Sequence, residues 1–505
     1  VFARFFFGAC AMKKFFVLVV LPWFFLLPVV AAEIQQVPTK KPMNFIVILL
    51  DDLGLHDVGF AGNDFVETPA IDQLAKDGVV FTQAYADAPN CAPSRAAILS
   101  GQYAPRTGVY TVATGDMGDV TKRKLLTPKN KMFLPEQVYT IAELLRDHGY
   151  ATASIGKWNL GHGAVRGPEG QGFDLNIAGH RGGVGQSHFA PYSTQLPNVQ
   201  NAPAGEYLTD RLNAETLRFI EQHKTQPFFV YLSHYAPHFP IQAPAEAKKK
   251  YEEKREAFCG KKSKLTFCEM SDYYPEYAAM IEHIDRGLAQ LRAQLAKDGL
   301  DKNTTIVLMS DNGGYPFVRD PNAQRGQKSQ LYEGGIHVPM VWLVPGNQAA
   351  AETDVPVSGV DIYPTFAALA GIDIKKLLLD GTDLSPLIFS PSRAFPQRDL
   401  FWYLPGYTTD STEEQEGEQG NLQLKPQEGF TQTPAVAMRR GNWKLIWYYD
   451  GAPTELYNVR VDPLEKYNQF LVEKKRGAEM LQALKQWLVA SGGVVELPKN
   501  PAYQP

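Results

Sequence analysis

The chain has 505 residues, 44% of them hydrophobic and 21% charged, with a formal net charge of −4. One hydrophobic core rarely serves more than about 250–300 residues, so two domains are expected. The slight acidic excess excludes a nucleic-acid binder that works through overall basic charge, and leaves room for a locally basic cleft that takes an anion.

The N-terminus reads as a targeting segment. Met12-Lys13-Lys14 is a positive lead, Phe15 to Val30 is an apolar run broken by Pro22 and Pro28, and Val29-Val30-Ala31-Ala32 offers small residues for cleavage before Glu33. The run is short for a spanning helix, and no cysteine follows it to take a lipid. Residues 1–32 are therefore expected to be a signal peptide, and the mature protein to be periplasmic or secreted with no stable membrane anchor. There are four cysteines. Cys259 and Cys268 bracket the basic run Gly260 to Lys264, and an exported chain can keep them either as a disulfide or as two thiols.

The mature chain opens with Asn44-Phe45-Ile46-Val47-Ile48-Leu49-Leu50, a continuous apolar run of the kind that forms a buried parallel strand. It ends in Asp51-Asp52-Leu53-Gly54. Thr68-Pro69 starts a helix with a cap and a first-turn proline, and Gly78 to Phe81 is the next strand. Cys91-Ala92-Pro93-Ser94-Arg95 follows, with Leu99-Ser100-Gly101 behind it. Pro93 suits a first helical turn, which places Cys91 at a helix N-terminus where the dipole and free N–H groups favour an anion. Arg95 then lies one turn on. By itself this stretch also fits a buried structural cysteine before an ordinary helix.

The alternation continues. Thr140 to His148 is a helix stopped by Gly149, and Ala151 to Ile155 is a strand with Gly156-Lys157-Trp158 at its end. Residues 162–205 are rich in Gly, Asn, Pro and His and read as a long irregular segment, a kind that is commonly functional. Leu208 to His223 is helical, Phe228 to Ser233 a strand leading to His234 and His238, Tyr277 to Ala296 a long helix, and Thr304 to Met309 a strand ending in Ser310-Asp311-Asn312-Gly313-Gly314. Strands that alternate with helices imply a mainly parallel α/β sheet covered on both faces. From about residue 393 the pattern shifts to a smaller α+β domain with strands at Trp443–Tyr448 and Thr454–Tyr457 and a closing helix at Gly477–Ser491. The expected division is thus 33–392 catalytic and 393–505 C-terminal.

The carboxylates, Lys157, His238 and the Asp311-Asn312 pair each follow the C-terminal end of a different strand. Open α/β sheets bind ligands at that edge. Asp51, Asp52, Asp311 and Asn312 are oxygen donors, a hard set suited to Ca²⁺ or Mg²⁺, although such residues also cap helices and form turns.

Together, Asp-Asp-Leu-Gly, the Cys91 motif, Gly156-Lys157-Trp158, Ala236-Pro237-His238-Phe239-Pro240, Ser310 to Gly314, Gln327-Lys328 before Tyr332-Glu333-Gly334-Gly335, and the later Gly441 to Leu445 and Glu455 to Asn458 resemble the motifs of type I sulfatases, in the order of that family. The resemblance covers nearly the whole mature chain and implies an alkaline-phosphatase-like sandwich. It implies that Cys91 is converted by a formylglycine-generating enzyme, and that Asp51, Asp52, Asp311, Asn312 and residue 91 bind one Ca²⁺. It further implies that Arg95 holds the aldehyde hydrate, that Lys157 and Lys328 neutralise sulfate oxygens, and that His238 protonates the leaving alcohol. The substrate class is a sulfated carbohydrate. His180, Arg181, His188, Arg319, Arg325 and the basic residues near Lys261 are candidates to line its pocket. One position departs from the family. Asn159 stands where a histidine base is usual, and an amide is no base, which leaves His162 or His234 as substitutes or the enzyme impaired. A phosphodiester or phosphonate hydrolase of the same superfamily and a non-catalytic sulfoglycan binder are the competing functions.

Overall fold

The computed structural model describes residues 41–504, apart from 113–116, 184, 186, 193–195, 262–270, 316–323, 347–350, 410, 417–421 and 427–428. The signal segment, Arg319 and Cys268 therefore lie outside the described residues. Residues 42–505 make one compact unit.

Its centre is an eight-stranded sheet built from β1 (Asn44–Leu50), β2 (Val79–Phe81), β3 (Ala151–Gly156), β4 (Leu175–Ile177), β5 (Phe228–Ser233), β6 (Thr304–Ser310), β7 (Met340–Leu343) and β8 (Ala351–Thr353). The spatial order is β4-β3-β5-β1-β6-β7-β2-β8. Pairs β4/β3, β3/β5, β5/β1, β1/β6 and β2/β8 are parallel, whereas β7 runs antiparallel to both its neighbours. The mainly parallel sheet expected from the alternation is present.

Every residue of β1 is buried, because both sheet faces are covered and successive side chains point to opposite faces. Ile46, Ile48 and Leu50 pack with helices α1 (Pro69–Asp77), α4 (Leu208–His223) and α6 (Tyr274–Lys297). Phe45, Val47 and Leu49 pack with α2 (Cys91–Ser100), α3 (Ile141–Asp147) and α7 (Ile362–Ala370). Thr140 caps α3 through the Glu143 N–H, and Glu143 returns the bond to the Thr140 N–H, a reciprocal box that fixes where the helix starts. Helix α5 (Ala245–Lys261) bridges α4 and α6 in sequence; Cys259 within it is disulfide-bonded.

A second sheet, β9 (Asp399–Leu404), β10 (Ala435–Arg440), β11 (Trp443–Tyr448) and β12 (Glu455–Asn458), is antiparallel throughout. One face buries Met480, Leu484 and Leu488 of α8 (Lys474–Ser491). The other lays Leu400, Trp402 and Ile446 on Tyr85, Leu331 and Ile336, and the Trp402 indole donates to the Ala86 carbonyl at 2.7 Å. Ser411–Glu416 forms a further strand, paired antiparallel with Leu422–Pro426. Among the described residues no helix is long and apolar enough to cross a membrane.

Register places the ends of the central strands level. Leu50 of β1 pairs with Ser310 of β6, and Gly156 of β3 pairs with Ser233 of β5. Asp51-Asp52, Lys157, His234 and Asp311-Asn312 are thus the first residues beyond one straight edge. Gly156 is required there: its φ is +104°, and a Cβ would lie 1.8 Å from the Ser233 carbonyl oxygen.

Candidate active site at the strand edge

Asp51, Asp52, Asp311 and Asn312 are all fully buried. Helix α2 delivers Cys91 to them at its first residue, and Cys91 Sγ lies 3.7 Å from Asp52 Oδ1. Asp52 has φ +64°, a left-handed conformation that costs a non-glycine residue about 1–3 kcal/mol. The strain is held by its own N–H, which donates to Asp311 Oδ1 at 3.2 Å. The turn after β6 is equally constrained, since a Cβ on Gly313 would lie 1.9 Å from the Gly334 carbonyl oxygen. That contact locks the Asp311-Asn312 turn to the segment that carries Lys328.

Three cations face the carboxylates. Arg95, fully buried one turn along α2, donates from Nε to Asp311 Oδ2 at 2.9 Å, and its Nη2 lies 2.7 Å from the same oxygen and 3.4 Å from Asp51 Oδ1. Its Nη1 donates to the Lys157 carbonyl at 2.9 Å and to Ser233 Oγ. Lys157 Nζ donates to Asp51 Oδ2 at 2.6 Å, and Lys328 Nζ to Asp52 Oδ2 at 2.7 Å. Tyr315 lies under Lys328, its ring centroid 4.9 Å from Nζ. Although burial opposes its ionisation, Lys157, His238, Arg95 and Lys328 hold Asp51 well below the usual carboxylate range. Burial and the neighbouring Asp51 push Asp311 the other way, against the pull of the Arg95 paired with it.

His238 lies between the cis bonds Ala236–Pro237 and Phe239–Pro240. Its Nδ1 donates to the Phe239 carbonyl at 2.6 Å, which turns Nε2 toward Asp52 Oδ2, 3.4 Å away. The ring is 22% exposed. Burial, and then Lys328, push its pKa down to about 4.

The donor chemistry fits a divalent cation. One ligand atom from each of Asp51, Asp52, Cys91 and Asp311 falls within 4.8 Å of the others. Asn312 Oδ1 is buried without a hydrogen-bond partner, and Asp51 Oδ1 has no hydrogen bond beyond its 3.4 Å ion pair with Arg95. An orphaned buried acceptor is costly, about 1–3 kcal/mol, and a cation would serve both oxygens. Replacing the Cys91 sulfur by oxygen would make the donor set all oxygen, the preference of Ca²⁺ and Mg²⁺. A second group, Asp52, Cys91 and His238, also meets the distance criterion, and its sulfur and imidazole are softer donors.

The structure therefore brings together Cys91, Arg95, Lys157, His238, Lys328, Asp51, Asp52, Asp311 and Asn312, which sequence reasoning named from separate motifs. It separates others. His162 is exposed. His234 is buried, and the charge that acts on it is Asp210, on α4. Among the described residues, neither histidine side chain is hydrogen-bonded or ion-paired to the cluster. His188, expected in a sugar pocket, is fully buried, and its Nε2 donates to the His238 carbonyl at 3.1 Å. Arg325 is exposed, and its Nη1 donates to the Glu465 carbonyl at 2.6 Å. Arg181 is exposed and His180 partly so. Asn159, at φ +62°, donates from Nδ2 to the Arg181 carbonyl at 3.0 Å and from its N–H to the His180 carbonyl at 2.9 Å. Sequence reasoning missed Ser233 and Asn90. Ser233 is read only as the end of a strand, and Asn90 is the cap of α2, whose Oδ1 accepts from Ser329 Oγ at 2.9 Å.

Residues 43–372 match the family model described as Sulfatase. The chain is 29% identical to human "Arylsulfatase A" over 88% of its own length and 87% of that protein, and 26% identical to a "Sulfatase" of Formosa agariphila over 95% and 94%. Among solved structures, Ps i-CgsB in complex with k-i-k-neocarrahexaose is similar at a TM-score of 0.72 and 29% identity, covering 88% of this chain and 93% of that one. A phosphonate monoester hydrolase of Agrobacterium radiobacter shares the fold, with a TM-score of 0.60 at 19% identity, over 89% and 95%. These neighbours give the sheet its alkaline-phosphatase-like class.

Burial, and then Asp51, push the Cys91 thiol well above its ordinary range. A thiol held neutral is a poor nucleophile. Folded protein with unmodified Cys91 is therefore expected to resist iodoacetamide at mildly alkaline pH and to react at this residue once unfolded in guanidinium. Peptide mapping by mass spectrometry reads the difference, and rapid labelling of the folded protein would contradict it.

Proposed function

The chain belongs to the sulfatase family and is a sulfuric ester hydrolase, and we propose that it desulfates a carbohydrate, using residue 91 as formylglycine beside one Ca²⁺. The observation that carries this reading is the placement of Cys91 Sγ 3.7 Å from Asp52 Oδ1, in one buried group with Asp51, Asp52 and Asp311, whose carboxylates also hold Lys157 and Lys328. Formylglycine supplies a hydrated aldehyde, one hydroxyl to attack sulfur and a second whose deprotonation lets the sulfate leave. Asp51, Asp52, Asp311, Asn312 and residue 91 would hold the Ca²⁺, which would supply positive charge to an anionic substrate.

The remaining roles belong to side chains. Three carboxylates against three buried cations balance, so a bound divalent ion leaves its whole charge as excess for an anionic substrate. Lys157, paired with Asp51, and Lys328, paired with Asp52, are the cations that would hold sulfate oxygens, with little reorganisation because both ammonium groups are already fixed. Arg95 orients residue 91 from the same helix and ties Asp51 to Asp311. His238 presents Nε2 to the reaction space and, when protonated, is placed to give a proton to the leaving alcohol. A sulfate ester at this position offsets Lys328 and raises the His238 pKa from its depressed value, which favours the acid form when substrate is bound.

The carbohydrate assignment draws on relatives. A mouse protein, "N-acetylgalactosamine-6-sulfatase", is 29% identical over 72% of this chain and 69% of its own length, and the Ps i-CgsB complex contains a neocarrahexaose. His180 and Arg181 stand beside Asn159, next to Lys157 in the chain, and are the residues proposed to meet the sugar. The leader residues support export to the periplasm or outside the cell, where a maturation enzyme would have acted on Cys91 first. The division into a catalytic part up to about residue 392 and a C-terminal α+β part is proposed on the change from parallel to antiparallel sheet.

Sulfate release across sulfated mono-, oligo- and polysaccharides tests this reading. At least one sulfated sugar should be desulfated, and Cys91→Ala should abolish release with the melting temperature nearly unchanged. Undiminished activity in Cys91→Ala would end the formylglycine mechanism.

A second, weaker reading follows from Asn159, whose Oδ1 is buried and unpartnered. Among the described residues neither His162 nor His234 is hydrogen-bonded or ion-paired to the cluster, and with no substitute base alcohol release should be fast and turnover slow, seen as a burst followed by a low steady rate. A positioned base contributes roughly 10²–10⁴-fold. Asn159→His should remove the burst and raise the steady rate by at least about tenfold, a fraction of that range. A steady rate in Asn159→His at or below wild type would mean that another group already acts as the base.

A further inference from the structure

Lys328 is not held in place by its own segment alone. The stretch from Gln324 to Ile336 closes on itself, with the Gly334 N–H donating to the Arg325 carbonyl at 2.7 Å and the Gly335 N–H to the Tyr332 carbonyl at 2.9 Å. Its inner side meets the catalytic edge. The Lys328 N–H donates to the Gly314 carbonyl at 3.0 Å, and the Ser329 N–H to the Pro89 carbonyl at 2.8 Å, next to Cys91. Ser329 itself has φ +72°, so this tip is strained and needs support.

The support comes from the C-terminal sheet. Lys444 of β11 is fully buried, and its Nζ lies 3.0 Å from Glu333 Oε1 and 3.0 Å from Glu465 Oε1. Glu465 Oε2 accepts from the Glu333 N–H at 2.7 Å, and the Glu465 carbonyl accepts from Arg325. Glu333 Oε2 accepts from Tyr85 Oη at 2.7 Å, with His337 Nδ1 3.5 Å away. Arg439 of β10 donates to the same Tyr85 hydroxyl. Both ends of the Lys328 segment, Arg325 and Glu333, are thus fixed by one buried cluster on residues 444 and 465. Glu465 is itself strained, at φ +49°, and burial pushes its carboxyl up to about 7 against the pull of Lys444.

Burying two carboxylates on one ammonium is an expensive way to join two sheets that already share an apolar contact. Apolar residues of similar volume often serve as well or better. What the charges add is direction: a buried network accepts one geometry and penalises the rest. We infer that Lys444 is a positioning residue for the reaction, clamping the base of the 325–333 segment through Glu333 and Glu465 so that Lys328 Nζ stays beside Asp52. The inference rests on the sulfate-handling role proposed for Lys328.

The test is a double-mutant cycle read together with amide exchange. Lys444→Met keeps length and removes charge. It should lower kcat by about 10–100-fold, the scale of a roughly 1 Å misplacement, with KM within about twofold, and it should speed hydrogen exchange at residues 326–335 while β1 stays protected. In a Lys328→Ala background the same change should cost little further kcat, because coupled residues are non-additive. Glu465→Gln is the second variant, for use if Lys444→Met does not fold. It sets an amide NH₂ against either Lys444 or the Glu333 N–H, breaks one of the two bonds, and should give the same coupling at smaller amplitude. Unchanged exchange in the segment, or the same kcat loss in both backgrounds, would overturn the inference. If Lys328→Ala leaves kcat unaltered, the role of Lys328 falls and the kinetic part with it, while exchange still reports on the clamp by itself.

Discussion

Three carboxylates buried within a few ångströms of one another would repel and unfold the edge on which they sit, unless cations met them there. Asp51, Asp52 and Asp311 are placed so by the parallel pairing of β1 with β6, whose ends are level. The answering charges come from different parts of the chain: Arg95 from a helix, Lys157 from the end of β3, and Lys328 from a segment more than two hundred residues after β1. Breaking a buried pair by deleting one partner typically costs about 3–5 kcal/mol. The arrangement therefore exists only when sheet, helix and segment are all in place, and it is fixed before substrate arrives. The left-handed backbone at Asp52, Asn159 and Ser329 is concentrated around this same edge, where the surrounding contacts can hold strained geometry.

Balanced charge explains how the site can be both buried and selective for an anion. Without a metal, the three pairs satisfy one another and leave one amide and one carboxylate oxygen without a hydrogen bond. A divalent ion would use those oxygens and add charge that nothing in the protein cancels. The Cys91 thiol, kept neutral by its surroundings, makes a poor nucleophile as it stands, which agrees with the modification proposed for it. Behind the edge, the antiparallel sheet holds the Lys328 segment through buried charge, so it contributes to the geometry of a site it does not line.

Much of this was legible in the sequence because local and tertiary signals agree. β1 is apolar at every position and is buried on both faces. Thr140 and Glu143 form the reciprocal cap that their spacing suggests. The strand ends could be named as an edge because the order of strands and helices forces the chain to return to the same side. Other features carry no such signal. The antiparallel β7 reads like any short apolar strand, since pairing direction is set by partners and not by composition. Helix α5 is highly charged along its length, and only Ala247, Tyr251 and Phe258 turn to the core, too few to stand out as an amphipathic pattern. Lys444, within a strand that reads as amphipathic, looks like a solvated position and is fully buried. His188 looks like a pocket residue because polar groups in loops commonly face solvent, yet it is buried and spent on a backbone carbonyl. For His162 and His234, closeness in sequence to the edge was no guide to the direction of the side chain.

The central claim is that the edge cluster holds one hard divalent cation between its carboxylates and residue 91. Elemental analysis of the purified, active protein after exhaustive dialysis, combined with native mass spectrometry, tests it most directly. The account predicts about one Ca²⁺ or Mg²⁺ per chain, lost in Asp311→Ala, and a melting temperature that falls when a chelator removes the ion. Stoichiometric zinc, or full activity with no divalent metal bound, would contradict it.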